Sequence, residues 1–171
     1  MHRLCLLLAL ILLPACAAPS GNDDDDSAAA DDDDSTPEPT EGRLVISFRI
    51  DEDWFNAMDE PAIGPFAGTI FDSEDVTGVG PDDEAREYGD VYVKEVDLTD
   101  GDFTTEVLVT TDLLPATWVT ILGFLDSDGN STPEDGGPDD GDPVTLPNSN
   151  EFLVVAGEDT AAEVYFGFLN P

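Results

Sequence analysis

The chain has 171 residues, 40 of them Asp or Glu against 5 Lys or Arg, for a formal net charge of -35. Nucleic-acid binding is excluded in practical terms, because phosphate contacts need clustered cations, and adsorption to anionic lipid through side-chain charge is disfavoured. Disorder throughout is excluded as well: 40% of residues are apolar, and after residue 42 they gather in short β-rich runs with the acid between them.

Met1-His2-Arg3 opens with positive charge, and Leu4 to Leu13 is unbroken apolar sequence. That run is too short for a membrane-spanning helix, which needs about 20 residues, and its flanks are those of a secretory signal. Leu13-Pro14-Ala15-Cys16 resembles the bacterial lipobox, although Pro14 departs from the usual small or β-branched residue. The resemblance implies a signal peptide over residues 1–15 and an acylated (palmitate-type) Cys16, carrying several chains, anchored in the cell envelope. Ala17 at the following position favours the outer membrane. The plainer reading is an ordinary signal peptide cut near Ala17-Ala18, with Cys16 incidental. The other cysteine, Cys5, and the single histidine, His2, also lie in this leader. The remainder is thus expected to have neither a disulfide framework nor an imidazole.

Residues 16–41 read as a disordered, Asp-rich linker. Asp23 to Asp26 and Asp31 to Asp34 head two octads of low complexity, and adjacent like charges keep such a segment solvated and extended. A neutral coil of this length would span about 28 Å. Charge repulsion pushes that towards a limit near 85 Å.

The folded part is expected over residues 42–171. Arg43 to Ile50 alternates, with Leu44, Ile46, Phe48 and Ile50 on one face, as a half-buried strand does. Residues 51–65 read as a long acidic connection carrying Trp54 and Phe55. These two aromatics are candidate ligand-contact residues, or else part of a loop folded back over the core. Ala67 to Asp72 is a second strand, followed by an acidic loop with a helical turn at Asp82 to Arg86. Asp90 to Leu98 and Phe103 to Thr110 form a hairpin about Asp100-Gly101. Thr117 to Leu125 is apolar on both faces and belongs mid-sheet. Phe152 to Ala156 and Ala162 to Leu169 complete about seven strands, the count of an all-β, antiparallel, Greek-key-like β-sandwich.

The order Leu114-Pro115-Ala116, an aromatic strand and then an Asp loop resembles the carboxypeptidase regulatory-like, or transthyretin-like, sandwich. The Gly usual in that family's corner is missing here, and Trp118 stands in place of Tyr. The resemblance implies an accessory or adhesive module with envelope glycan or protein as partner.

Asp126-Ser127-Asp128-Gly129-Asn130 sets oxygen donors at alternate positions, as at the start of an EF-hand loop, and hard oxygen donors select Ca²⁺. Ser131 and Gly137 stand where that loop would need Gly and Glu, so a full EF-hand is excluded. Glu134, Asp135, Asp139, Asp140 and Asp142 are the residues expected to close a different site. Two carboxylates about 5 Å apart repel by about 3 kcal/mol at an effective dielectric of 20. The loop therefore either gathers a cation (Ca²⁺, or Mg²⁺ in its place) or splays into solvent.

The function expected is a membrane-anchored, surface-exposed, non-catalytic module, calcium-stabilised, serving binding, adhesion or envelope architecture. A ligand-free acidic structural domain is the alternative, and a carboxylate-based hydrolase a second one. No catalytic residue is singled out.

Overall fold

The computed structural model describes residues 38–131 and 136–171. The leader, Cys16 and the linker through residue 37 lie outside them, as do Glu134 and Asp135. β1 (Glu41–Ile50) has the expected alternation, with Leu44, Ile46, Phe48 and Ile50 buried. Asp51 then caps a four-residue helix, α1 (Glu52–Phe55), accepting from the Asp53 amide at 2.9 Å. β2 (Ile63–Asp72), the tiny hairpin β3 (Val76–Thr77) and β4 (Gly80–Pro81), and β5 (Glu87–Asp97) follow. The rest comprises β6 (Val109–Thr110), β7 (Leu114–Pro115), β8 (Trp118–Leu125), β9 (Pro143–Thr145), β10 (Glu151–Leu153) and β11 (Asp159–Leu169).

One nine-stranded sheet runs β5-β2-β8-β9-β11-β1-β6, with β10 added to β8 and β7 to β1. Phe48 on β1 and Phe66 on β2 are separated by three intervening strands, yet their rings lie 4.8 Å apart. Phe166 on β11 completes the cluster, 6.1 Å from Phe48 and 5.9 Å from Phe66. The sheet is therefore curled upon itself and nearly closed, and these three rings fill its middle. The all-β sandwich architecture expected from the strand pattern is the one that forms.

Three local features differ from expectation. β1 and β11 pair in parallel, from Arg43 opposite Asp159 to Ile50 opposite Phe166. Parallel pairing needs a long connection, and here most of the domain supplies it. The turn at Asp82 to Arg86 is only one hydrogen-bonded loop, Ala85 N–H to the Asp82 carbonyl at 3.1 Å.

The Asp100-Gly101 hairpin does not form. Phe103 adopts a left-handed φ of 55°, its ring packs 4.8 Å from that of Phe55, and its carbonyl accepts from Ile50 N–H at 3.1 Å. Residues 103–111 then follow β1 instead of returning along β5. The amides of Thr105, Leu108 and Thr111 donate to the carbonyls of Phe48, Ile46 and Leu44. Packing across the end of the sheet overrides the local turn signal.

Candidate metal centre

β8 lies between β2 on one side and β9 and β10 on the other. It buries Val119, Ile121 and Leu125 and delivers Asp126 at its end. The Asp126 carboxylate turns inward and organises the loop. Its Oδ1 accepts from the amides of Gly129 (2.8 Å) and Asn130 (3.1 Å), and its Oδ2 from that of Ser131 (3.3 Å). Gly129 supplies the left-handed φ of 73° that this tight turn requires.

Asp128 accepts from the Asn130 amide at 3.1 Å and from Asn130 Nδ2 at 2.7 Å. The same Nδ2 donates to Asp139 Oδ2, so one side-chain amide joins two carboxylates. Asp142, only 2% exposed, accepts from Ser127 N–H (3.0 Å), Ser127 Oγ (3.2 Å) and Asp139 N–H (3.3 Å). Burial pushes its carboxyl above the usual carboxylate range. The Ser127 and Asp139 amides pull it back in part, and the Asp139 charge pushes it up further.

The chain's end locks this loop in place. Gly141 N–H donates to the Asn170 carbonyl and Asn170 N–H to the Asp142 carbonyl, each at 2.8 Å. Asn170 Nδ2 reaches the carbonyls of Pro138 (3.0 Å) and Asp139 (2.9 Å). Beside it opens a cleft of about 330 Å³ lined by Asp59, Glu60, Asp128, Asp139, Asp140 and Asp142, with no basic residue on its walls.

Of the candidate ligands, Asp126, Asp128, Asn130, Asp139 and Asp142 are therefore joined in one hydrogen-bonded loop, and Asp140 lies on the cleft wall. Asp126 does not line the cleft. Glu134 and Asp135 lie outside the described residues. Among the described residues, no three His, Cys, Asp or Glu side chains converge as a ready-made ion cage. Asp59 and Glu60 had no local signal, since only the fold brings the connection after α1 against this loop.

Trp54 and Phe55 sit half-buried at the same end, packed on the core. The Trp54 ring meets Phe168 edge-on at 5.7 Å, and Phe55 meets Phe103. No helix among the described residues is long and apolar enough to cross a membrane. No family model, curated protein or solved structure matches the chain.

Proposed function

We propose that this protein is a lipid-anchored, non-catalytic β-sandwich module of the cell envelope. In this reading its acidic loop binds Ca²⁺ and is stiffened by it. The observation that carries the calcium reading is Asn130 Nδ2 held between Asp128 and Asp139, two carboxylates on the wall of a cleft whose charged lining residues are all acidic. A neutral donor there does weakly what a cation would do strongly. If the amide turned over, Asn130 Oδ1 would join the two carboxylates as a third oxygen ligand. The anchor rests on the lipobox-like Leu13 to Cys16, and the non-catalytic reading on the placement of the only His and both Cys within the first sixteen residues.

At an extracellular-type affinity near 10⁻⁴ M and about 1 mM Ca²⁺, binding adds about 1.4 kcal/mol to stability. Melting the domain in CaCl₂, in MgCl₂, in NaCl of matched ionic strength and in chelator tests this directly. A rise specific to Ca²⁺ that is lost in Asp139→Asn supports the reading. Equal rises in calcium and sodium refute it and favour a ligand-free acidic domain. That alternative draws on Asp126 and Asp142 already being satisfied by backbone amides. For the anchor, Cys16→Ala should move the protein from the detergent phase to the aqueous phase. Unchanged partitioning would remove the lipid.

A further inference from the structure

We propose that the free edge of β5 accepts an extended, cationic peptide segment from another protein as an added strand. Because the Asp100-Gly101 hairpin is not made, β5 ends the sheet on one side and residues 103–111 end it on the other. Among the described residues neither edge has a second backbone partner. The two edges nonetheless face each other. One cleft of about 250 Å³ is lined by Tyr88 to Tyr92 from β5 and by Val109 to Asp112 opposite. A second, of about 480 Å³, lies between the end of β5 and residues 104–108.

Edge strands are commonly protected by bulges and lysine, and β5 has both: its register with β2 shifts near Tyr88 and near Lys94-Glu95. Between these shifts the pairing is regular from Gly89 to Val93. That stretch contains neither Pro nor Lys and is long enough for a short added strand.

The seam also specifies the charge of its occupant. Its clefts are lined by Asp90, Glu95, Asp97, Asp100, Asp102, Glu106 and Asp112, with no Lys or Arg. On the outer face Tyr92 is 65% exposed beside Asp90, whose Oδ1 is engaged by Thr69 Oγ1 at 3.0 Å. An arginine on the added strand would find a carboxylate and an aromatic face there together. A second copy of this chain, at net charge -35, is repelled from the same edge.

The test uses the full chain in chelator, so that it is independent of any calcium site, and a probe peptide of about seven residues alternating Arg and Thr. Binding is followed by titration calorimetry. Two further peptides are N-methylated, one at the Arg amides and one at the Thr amides. Strand addition uses one set of amides only, so one methylated peptide should bind at least about tenfold more weakly and the other nearly unchanged. A Glu-for-Arg peptide should not bind. Asp90→Asn combined with Tyr92→Ala, its fold checked by circular dichroism, should weaken the Arg peptide. Equal binding of both methylated peptides would mean unspecific charge attraction and overturn the proposal. Binding of the Glu peptide, or a dimer by sedimentation without peptide, would overturn it too.

Discussion

Gly123 on β8 lies directly opposite Gly68 on β2, and the tip of the Phe66 ring occupies the space that a side chain on either would need. A Cβ at Gly123 would come 2.4 Å from the Ala67 carbonyl oxygen and 2.6 Å from the Gly68 Cα. Neither obstacle is a flexible side chain, so relief requires the two strands to separate beside the aromatic cluster. Gly123→Ala should therefore cost about 3 kcal/mol, the upper end for overpacking, read as a lower urea midpoint at unchanged slope. Gly101→Ala, where nothing lies within 4 Å, should stay within about 0.5 kcal/mol of the parent.

Arg86 ties down the corner between β2 and β5. Its guanidinium lies 3.0 Å from Asp72 Oδ2 and 3.0 Å from Asp75 Oδ2, and Tyr88 OH donates to Asp72 at 2.7 Å. Asp72 is buried, so removing the cation leaves its charge poorly compensated. Arg86 itself is more than half exposed, which reduces the effect through screening. Arg86→Gln should destabilise the domain, and by clearly less in an Asp72→Asn background, as a double-mutant cycle would record.

How far the sequence could be read depended on whether each contact was local. The alternation of Leu44, Ile46, Phe48 and Ile50 marks a strand wherever it pairs, and β8 reads as central because both its faces are apolar. The aborted hairpin shows the limit: Asp100-Gly101 favours a turn, but Phe103 meets Phe55 and bonds Ile50, partners some fifty residues away. The early start of β11 at Asp159 had the same cause, since its first residues pair with β1 from the other end of the domain. At the candidate site, Asp126, Asp128 and Asn130 stood out by spacing. Asp59 and Glu60 had no pattern to reveal them.

Asn150 completes an edge that no strand covers. It is fully buried, and its Nδ2 donates to the carbonyls of Leu146 (3.0 Å) and Tyr165 (2.9 Å) while its Oδ1 accepts from Tyr165 N–H at 2.7 Å. One side chain thus replaces the strand partner that β11 lacks at Tyr165, where β9 has ended. Asn150→Ala should cost about 3 kcal/mol, because it leaves buried backbone groups unpaired, and amide exchange at Tyr165 should accelerate. Asn150→Asp should be no better, since a carboxylate would face two carbonyl oxygens.

The titrating groups place the pH of greatest stability on the acidic side of neutral. Asp142 is held above its ordinary value of 3.8 by burial. The folded state therefore binds its proton more readily than the unfolded chain, and stability increases as pH falls through the folded-state value. Asp51, Asp75 and Asp97 are held below 3.8, chiefly by hydrogen bonds from the Asp53 amide, the Arg86 amide and the Thr99 hydroxyl respectively. Their contributions are complete above 3.8 and are lost as pH falls below it. Melting temperature should accordingly climb as pH falls through the folded-state value of Asp142, and drop once pH falls below 3.8. Asp142→Asn should flatten the climb but keep the drop. Saturating Ca²⁺ should also shrink the climb if the loop binds it, because a nearby cation favours the ionised carboxylate. At the alkaline end, burial together with the Asp72 and Asp51 carboxylates raises the phenols of Tyr88 and Tyr165 above 10.0. Unfolded tyrosines then lose their protons first, and stability should decline once pH exceeds that value.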